Sequence, residues 1–132
     1  MGIFDKVFKS QRDISKEEIQ EVPWKALTEE VQLEKLESQS RDKTIAIFKH
    51  STRCGISRMV LNNFERNYDL HEEEDLELYF LDLLANRDIS NKVADKFNVR
   101  HESPQILIIK NGEVVHHASH QSIEVESLKK HL

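Results

Sequence analysis

The sequence predicts one three-layer α/β domain, with a mixed β-sheet between two layers of helices. Segments with strand character alternate with segments of helical periodicity along the chain, and this alternation gives parallel strands joined by crossover helices. Near the C-terminus the pair Asn111-Gly112 separates two further apolar runs and predicts an antiparallel hairpin, because Asn-Gly tolerates the positive φ angles of a type I′ turn. The chain has 132 residues with three glycines and two prolines, which suits one domain without a linker.

The first 21 residues have a different pattern of apolar and polar residues from the rest of the chain. They predict a short helical extension, residues 1–21, packed on the domain of residues 22–132. A short apolar stripe near the start consists of Ile3, Phe4, Val7 and Phe8. Ser15 and Glu18 then stand at the spacing of a capping box. Because so few apolar residues give too little area for lasting membrane attachment, we expect the stripe to pack against the domain.

The first half of the domain reads as strand, helix and strand. Residues 22–27 are predicted to form a short strand, and Thr28 to cap a helix that ends near Gln39. Residues 43–49 form an apolar, β-branched run between charged ends, as expected for a strand that is covered on both faces. We therefore place this strand at the centre of the sheet.

Two amphipathic helices and one strand follow. The first helix has apolar residues at four-residue intervals, namely Ile56, Val60, Phe64 and Tyr68. A strand is then predicted over residues 76–83, and Asn86 or Asp88 can cap the second helix. The apolar residues of the second helix, again four apart, are Ile89, Val93 and Phe97. The alternation of strand and helix thus continues through this part of the chain.

The chain ends with the hairpin and one more helix. The hairpin joins a strand over residues 105–109 to a strand over residues 113–117, and Ser122 is predicted to open the last helix. The predicted order is βαβαβαββα after the N-terminal helical extension. This mixed-sheet, three-layer α/β/α arrangement resembles the thioredoxin fold.

Composition and charge exclude several classes of protein. The formal net charge is −5, and the lysines and arginines are scattered, which disfavours nucleic-acid binding because that needs clustered cations. The longest apolar runs have four residues, far below the roughly 20 residues of a membrane-spanning helix. The start of the chain lacks the basic and apolar segments of a signal peptide. We therefore expect a cytoplasmic protein that binds neither nucleic acid nor membrane.

Histidines are frequent near the end of the hairpin, at His116, His117 and His120. Neighbouring residues of a strand point to opposite faces, so the first two cannot easily bind one ion. We interpret them as surface histidines and predict no metal site.

The single cysteine, Cys54, is the strongest candidate for chemistry. One cysteine cannot form an intrachain disulfide. Cys54 lies where the central strand passes into a helix, at the edge where such sheets present ligand sites, and the helix start favours the nucleophilic thiolate. His50, Arg53 and Arg58 can add positive charge. Gly55 leaves room beside the sulfur for another molecule.

The motif around this cysteine resembles known redox sites. Cys54-Gly55-Ile56-Ser57 is similar to the Cys-x-x-Cys site of thioredoxins, with Ser57 in place of the second cysteine, and to the Cys-Gly-Phe-Ser site of monothiol glutaredoxins. A longer stretch, from about Pro23 through residues 52–57 and 102–105 to the C-terminus, resembles the YtxJ-like family of monothiol bacilliredoxins.

The resemblance to bacilliredoxins implies a monothiol thiol–disulfide oxidoreductase of the thioredoxin fold, from bacteria that use bacillithiol. Cys54 is then the nucleophile that removes bacillithiol from mixed disulfides on proteins, which are its partners. Ser57 at the resolving position prevents an internal disulfide, so free bacillithiol or a separate reductant regenerates Cys54. The small thiol is thus a co-substrate, and no bound cofactor is implied.

The same resemblance implies the substrate-binding residues. Pro104 is similar to the cis-proline of the thioredoxin fold, and Ser103 before it offers backbone hydrogen bonds to a bound thiol or peptide. Thr52, beside the cysteine motif, is the third substrate-binding residue. For Ser57 two roles stay open, a hydrogen bond to the thiolate or capping of the helix, and we favour capping.

Two other functions stay open. The first is a [2Fe–2S] cluster carrier like some monothiol glutaredoxins, although Ala118-Ser119-His120 replaces their Gly-Gly turn and Ile56 replaces their Phe. An anaerobic visible spectrum distinguishes this function from thiol chemistry. The second is a non-catalytic adaptor that binds a partner through its N-terminal apolar stripe, with Cys54 incidental. A slow alkylation rate of Cys54 would favour the adaptor.

Overall fold

The computed structural model describes residues 22–70 and 75–132. Their elements follow the predicted order βαβαβαββα. The strands are β1 (Trp24–Ala26), β2 (Thr44–His50), β3 (Leu76–Asp82), β4 (Gln105–Lys110) and β5 (Glu113–Ser119). The helices are α1 (Val31–Gln39), α2 (Gly55–Asn67), α3 (Arg87–Phe97) and α4 (Val125–Lys129), with a 3-10 turn at His120–Ser122. The predicted N-terminal extension, residues 1–21, lies outside the described residues.

The five strands form one mixed sheet in the order β1-β3-β2-β4-β5. β1 and β2 pair in parallel with β3, whereas β4 pairs antiparallel with β2 and β5 antiparallel with β4. β2 lies at the centre, and every one of its residues is buried. The predicted mixed sheet and its central strand are both confirmed.

Successive residues of β2 point to opposite faces of the sheet, and each face has its own hydrophobic core. Ile47 packs in a core with Leu36 of α1 and Val93 of α3. Phe48 packs in a second core with Phe64 of α2 and with residues of α4. Helices therefore cover both faces. None of the helices in the described part of the chain combines the length and the apolar character needed to cross a bilayer.

An aromatic cluster fixes α2 against the sheet. The ring centroids of Trp24 and Phe80 are 5.6 Å apart, and those of Phe48 and Phe64 are also 5.6 Å apart. The Trp24 indole N–H donates to the Glu65 carboxylate at 2.7 Å. Phe64 is thus a core residue and the partly buried Trp24 packs against the same core. Together they hold the helix whose first turn follows Cys54.

The start of α1 differs from the prediction, because Thr28 does not cap it. The helix begins at Val31, and Glu30 at the N-cap position makes no side-chain cap hydrogen bond. Instead the Gln32 side-chain oxygen accepts the backbone N–H groups of Thr28 and Glu29, at 2.8 and 2.9 Å. An amide inside the first turn thus replaces the predicted hydroxyl as the acceptor.

The last helix also begins later than predicted. Ser122 belongs to the 3-10 turn, and α4 begins at Val125. His120 opens the turn with a left-handed φ of 55°, and its N–H donates to the Pro104 carbonyl at 3.0 Å. A contact with a distant loop therefore determines this turn, and the local sequence does not reveal it.

The β4–β5 hairpin has the predicted turn. Asn111 has a φ of 53° and Gly112 a φ of 78°, both in the left-handed region that a type I′ turn requires. Their N–H groups donate to the carbonyl and the hydroxyl of Ser40, at 2.7 and 2.8 Å. The hairpin is thus fastened to the end of α1, near the edge of the sheet where β2 begins.

Candidate active site

Cys54 lies at the junction between β2 and α2. It takes the N-cap position of α2 with an extended backbone, φ −104° and ψ 120°. Its N–H donates to the Ser51 carbonyl at 3.2 Å, and its carbonyl accepts the N–H of Arg58 at 3.1 Å. The residue is partly exposed. Cys54 is therefore held at the start of the helix while the site stays open to solvent.

The surroundings of the thiol are electropositive. A helix begins with N–H groups that lack an intrahelical acceptor and with the positive end of its dipole. The first turn of α2 carries no acidic residue. Arg53 and Arg58 are exposed beside it, and the Arg58 guanidinium donates to the Thr52 carbonyl at 3.4 Å. The start of α2 therefore offers N–H groups without an intrahelical acceptor and two nearby guanidinium groups, the kind of surroundings in which reactive cysteines are found.

His50 is buried and does not supply the positive charge that the sequence predicts. Burial is the main cause that lowers the pKa of its imidazole; Asp82 and Glu65 oppose this shift, and Arg58 adds to it. The ring packs against Phe80, with centroids 5.4 Å apart. A lowered pKa favours the neutral imidazole at neutral pH, so His50 acts here as a hydrogen-bonding group and not as a cation.

Ser57 is fully buried and does not cap α2, in contrast to the favoured interpretation of the sequence. Its hydroxyl oxygen accepts the N–H of Ser51 at 3.1 Å and lies 2.9 Å from Nδ1 of His50. In a neutral imidazole whose Nδ1 is the acceptor, the Ser57 O–H donates to it. Ser57 thus joins the first turn of α2 to the end of β2. The sequence missed this link because it depends on how strand and helix pack.

Ser103 and Pro104 lie at the same edge of the sheet as Cys54. β2 and β4 are antiparallel, with Lys49 opposite Gln105, so the chain leaves β2 where it approaches β4. The Ser103–Pro104 peptide bond is cis, as the resemblance to the thioredoxin fold implies. Pro104 is buried, and the buried Ser103 hydroxyl has no hydrogen-bond partner among the described residues.

Lys49 is a buried residue near this edge that the sequence patterns did not single out. Its side chain is fully buried, and its ammonium lies 3.3 Å from the Ser90 carbonyl and 3.2 Å from Nδ1 of His101. Burial lowers the pKa of Lys49 to about 8. Alternation along β2 places Lys49 on the same face as Ile45 and Ile47, and that period is the signal that could have predicted its burial.

The loop before β4 is held by several further contacts. The Ser119 hydroxyl donates to the Glu102 carboxylate. The Gln105 side-chain amide donates to the Arg100 carbonyl at 3.0 Å. Together with the bond from His120 to Pro104, these contacts tie the loop to β4 and to the end of β5, so that its backbone has a defined position beside the edge of the sheet at Cys54.

Thr52 and Gly55 form open surface on either side of the cysteine. Both are exposed, and a Cβ atom added at Gly55 would meet nothing within 4 Å. The space that the sequence predicts beside the sulfur is therefore present. Their predicted roles in substrate binding and site support stay predictions, because they concern a bound partner.

Two of the hairpin histidines, His116 and His117, lie on β5, and His120 opens the 3-10 turn that follows. Within residues 22–70 and 75–132, no group of three or more His, Cys, Asp or Glu side chains is arranged to hold a metal ion. His116 is partly buried and His117 exposed, on alternating positions of β5. The alternation of the strand thus separates these two rings, as expected from their adjacent positions in the sequence.

A comparison with protein-family models shows the family to which the chain belongs. The model described as monothiol bacilliredoxin BrxC matches residues 25–128, which include Cys54, Ser57 and the loop with Pro104. The chain belongs to the monothiol bacilliredoxin family. The resemblance stated from the sequence is thereby confirmed, and the matched region coincides with the folded domain from β1 to α4.

Solved structures agree with this family membership. A proposed oxidoreductase with a thioredoxin fold is 34% identical with a TM-score of 0.67, over 81% of this chain and 91% of that chain. Thioredoxin from Schistosoma mansoni is 28% identical with a TM-score of 0.61, over 83% and 95%. Thioredoxin from Fasciola hepatica, 22% identical with a TM-score of 0.63 over 82% and 99%, shares the fold. The predicted fold class is confirmed.

This member of the bacilliredoxin family is thus a thiol–disulfide oxidoreductase with a single thiol. The geometry brings together the partly exposed Cys54, the buried pair His50 and Ser57, and the loop that contains Pro104. It leaves Thr52 and Arg53 on the surface.

Proposed function

We propose that the protein removes bacillithiol from mixed disulfides on other proteins, in the cytoplasm where thiols are kept reduced. One observation carries the proposal: the lone cysteine starts α2 at an open edge of the sheet, while the residue at the resolving position, Ser57, is a buried hydroxyl engaged with His50. A site of this kind can accept a thiol on Cys54 but cannot expel it by forming an internal disulfide.

The first step is a thiol–disulfide exchange. The Cys54 thiolate attacks the bacillithiol sulfur of a protein–bacillithiol disulfide, and a new S–S bond forms between Cys54 and bacillithiol. The original S–S bond breaks, and its electron pair leaves on the sulfur of the target protein, which then takes a proton from water. The target regains its thiol, and Cys54 carries the bacillithiol.

The second step regenerates Cys54. A second thiolate, from free bacillithiol or from a separate reductant, attacks the bacillithiol sulfur and releases the Cys54 thiolate. Bacillithiol is then recovered as a disulfide with the attacking thiol. Since the chain has one cysteine, this second thiol must come from another molecule, and it is a co-substrate and not a bound cofactor.

Three residues are proposed to bind the incoming disulfide. The backbone of Ser103 would offer hydrogen bonds to the bound thiol or peptide, and Pro104, which is buried, would hold that backbone in place. Thr52, exposed beside the cysteine turn, would contact the target protein. The contacts that fix the loop before β4 support this role, because a preorganised loop loses little entropy on binding.

The test is a single-turnover transfer. A model protein with one bacillithiolated cysteine is incubated with the reduced full-length protein, or with Cys54→Ala as the control, and both partners are followed by intact mass. We expect the wild type to gain one bacillithiol as the model protein loses it, and Cys54→Ala to gain none.

The other outcomes contradict the proposal in different ways. If the model protein keeps its adduct in the presence of wild type, the activity is absent. If both forms remove the adduct equally, Cys54 is not the nucleophile. Visible absorption of a cluster in the anaerobically purified protein would support an iron–sulfur carrier instead.

A further inference from the structure

A groove of about 540 Å³ extends along α2 from Gly55, the neighbour of Cys54. Its volume is within the range of about 300 to 1,000 Å³ that is typical of small-ligand sites. One wall is a stripe of α2 that includes Arg58, Met59, Asn62 and Arg66, and the other wall contains Gln121 from the 3-10 turn. The groove therefore begins beside the cysteine and continues along the surface away from it.

The groove is cationic in an acidic protein. Arg58 and Arg66 are exposed, and the described residues that line the groove include no carboxylate. The ion pairs formed between described residues all use lysines, such as Lys25 with Glu77 and Lys96 with Glu37, and neither arginine takes part in one. Among the described residues neither guanidinium has a carboxylate partner, and Arg58 keeps N–H groups besides the one that donates to Thr52. Both can therefore bind an anionic ligand, although the whole chain has a net charge of −5.

The arginines form a row that starts near the sulfur. Arg58, Asn62 and Arg66 are four residues apart, so they lie one above another on the same side of the helix. They lie about 6, 12 and 18 Å from Cys54 along the helix axis. Helical side chains lean toward the N-terminus, which brings each guanidinium closer to Cys54 than its backbone is. An extended molecule joined to Cys54 can therefore contact both arginines.

The opposite wall is connected to the loop that contains the cis bond. Gln121 follows His120, whose N–H donates to the Pro104 carbonyl. The groove and the edge of the sheet at Cys54 thus belong to one continuous surface. The side-chain amides of Asn62 and Gln121 can hydrogen-bond hydroxyl and amide groups of a ligand, while the exposed Met59 offers an apolar contact.

We propose that this groove binds the carboxylates of a low-molecular-weight thiol while the sulfur of that thiol is joined to Cys54. The inference rests on the proposed function and adds the part of the small thiol that is recognised: an anionic group bound by the fork-like guanidinium of Arg58, with Arg66 placed for a second carboxylate. The site thereby prefers acidic small thiols to neutral ones.

The test compares two small symmetric disulfides, bacillithiol disulfide with carboxylates and bis(2-hydroxyethyl) disulfide without charge. In each reaction the Cys54 thiolate attacks one sulfur, forms a mixed disulfide and releases the other half as a thiolate. The rate constant for bacillithiol disulfide is divided by the rate constant for the neutral disulfide. This ratio measures recognition of the carboxylates, because the neutral disulfide corrects for any change in the reactivity of Cys54. We expect Arg58→Gln and Arg66→Gln each to lower this ratio by about three- to tenfold.

Arg41→Gln is the matched control. It removes the same charge from an exposed residue before β2, at the edge of the sheet opposite to Cys54. We expect it to leave the ratio unchanged. If Arg41→Gln lowers the ratio as much as Arg66→Gln, the preference arises from the overall field of the protein and the groove is not a binding site. An unchanged ratio in both groove variants also overturns the proposal.

A binding measurement keeps the groove separate from the exchange chemistry. Full-length Cys54→Ser is titrated with bacillithiol disulfide, and NMR follows the side-chain amides of Asn62 and Gln121. Suppose that Arg66→Gln weakens this binding and that the wild type reacts with neither disulfide. The groove is then a binding site for the carboxylates, but the proposed function is rejected. Reaction with both disulfides at a ratio that no groove variant changes would reject the groove alone.

Discussion

Lys49 and His50 are consecutive residues of β2, both basic and both buried, but they support opposite faces of the sheet. Lys49 reaches the Ser90 carbonyl and His101, on the side of α3. His50 reaches Ser57, on the side of α2. Burial lowers the pKa of both. The end of one strand therefore connects to both structures that border the site, the loop before β4 and the cysteine turn.

The difference between the two residues is how they respond to burial. An imidazole becomes neutral close to physiological pH and then serves as a donor and an acceptor. An ammonium keeps its proton to a higher pH, so Lys49 costs free energy in the folded state at neutral pH. His50 is therefore suited to the polar network of the cysteine turn, whereas Lys49 is a buried charge with a carbonyl and a ring nitrogen as partners.

The largest predicted effect concerns the pH dependence of stability at Lys49. Its pKa is about 8 in the folded protein against 10.5 for an ordinary lysine. Between these values the unfolded chain holds more protons, so wild-type stability rises with pH. Relative to Lys49→Met, the wild type should gain about 2 to 3 kcal/mol between pH 7 and pH 10.5. Urea unfolding at both pH values measures this.

The control for the loss of one charge is Lys35→Met, on an exposed position of α1. The stability difference between wild type and Lys49→Met should shrink as pH rises, because the ammonium that Met replaces is then neutral in the wild type too. If the stabilities of wild type and Lys49→Met change in parallel between pH 7 and pH 10.5, the pKa of Lys49 is not lowered in the folded protein.

The next effect concerns the other face. His50→Leu removes the acceptor of the Ser57 hydroxyl and should cost about 1 to 2 kcal/mol, because a buried hydroxyl then lacks a partner. His50→Asn keeps an acceptor and should lose less. The folded pKa of His50 is lowered from 6.5, so the unfolded chain binds the proton first as pH falls below that value. Wild type should therefore lose stability on acidification relative to His50→Leu.

A double-mutant cycle sharpens the comparison between the two faces. His50→Leu and Ser57→Ala should show a coupling energy of about 1 kcal/mol, since the two side chains share a hydrogen bond. Lys49→Met and Ser57→Ala should be additive within about 0.5 kcal/mol, because they contact different layers. Equal coupling in both cycles would mean that the strand does not separate the two networks.

The smallest predicted effect is at Gly55, where a methyl group meets no neighbour. Gly55→Ala should change the free energy of unfolding by less than about 1 kcal/mol. Alkylation of Cys54 by iodoacetamide should stay within twofold of wild type, whereas transfer from a bacillithiolated protein should slow, because a bulkier partner must approach the sulfur. If both reactions slow equally, the methyl group acts on the thiol itself and not on access.

The order of the elements could be predicted from the sequence because the apolar residues within each element repeat at the period of a strand or of a helix. The apolar residues of β2 and the stripe with Val60 and Phe64 on α2 show this directly. The position of Cys54 at the start of α2 follows from the same boundary. These features depend on local periodicity, and local periodicity is what a single sequence contains.

The contacts of the site could not be predicted in the same way. The bond between His50 and Ser57 joins a strand to a helix, and the bonds of Lys49 join β2 to α3 and to a loop; both depend on register and packing. The start of α1 was mispredicted for a local reason, because the Gln32 side chain accepts the N–H groups of Thr28 and Glu29 in place of the predicted Thr28 cap. The cis bond before Pro104 came from the family resemblance, since only about 5% of such bonds are cis.

Because one cysteine is present among the 132 residues, the mass of the intact protein reports which thiol is attached to it. Any small molecule that forms a disulfide with the chain must attach at Cys54. The increment in weight of the undigested chain, isolated from cells with its adduct preserved, therefore identifies the physiological co-substrate directly, whichever small thiols the host cell makes.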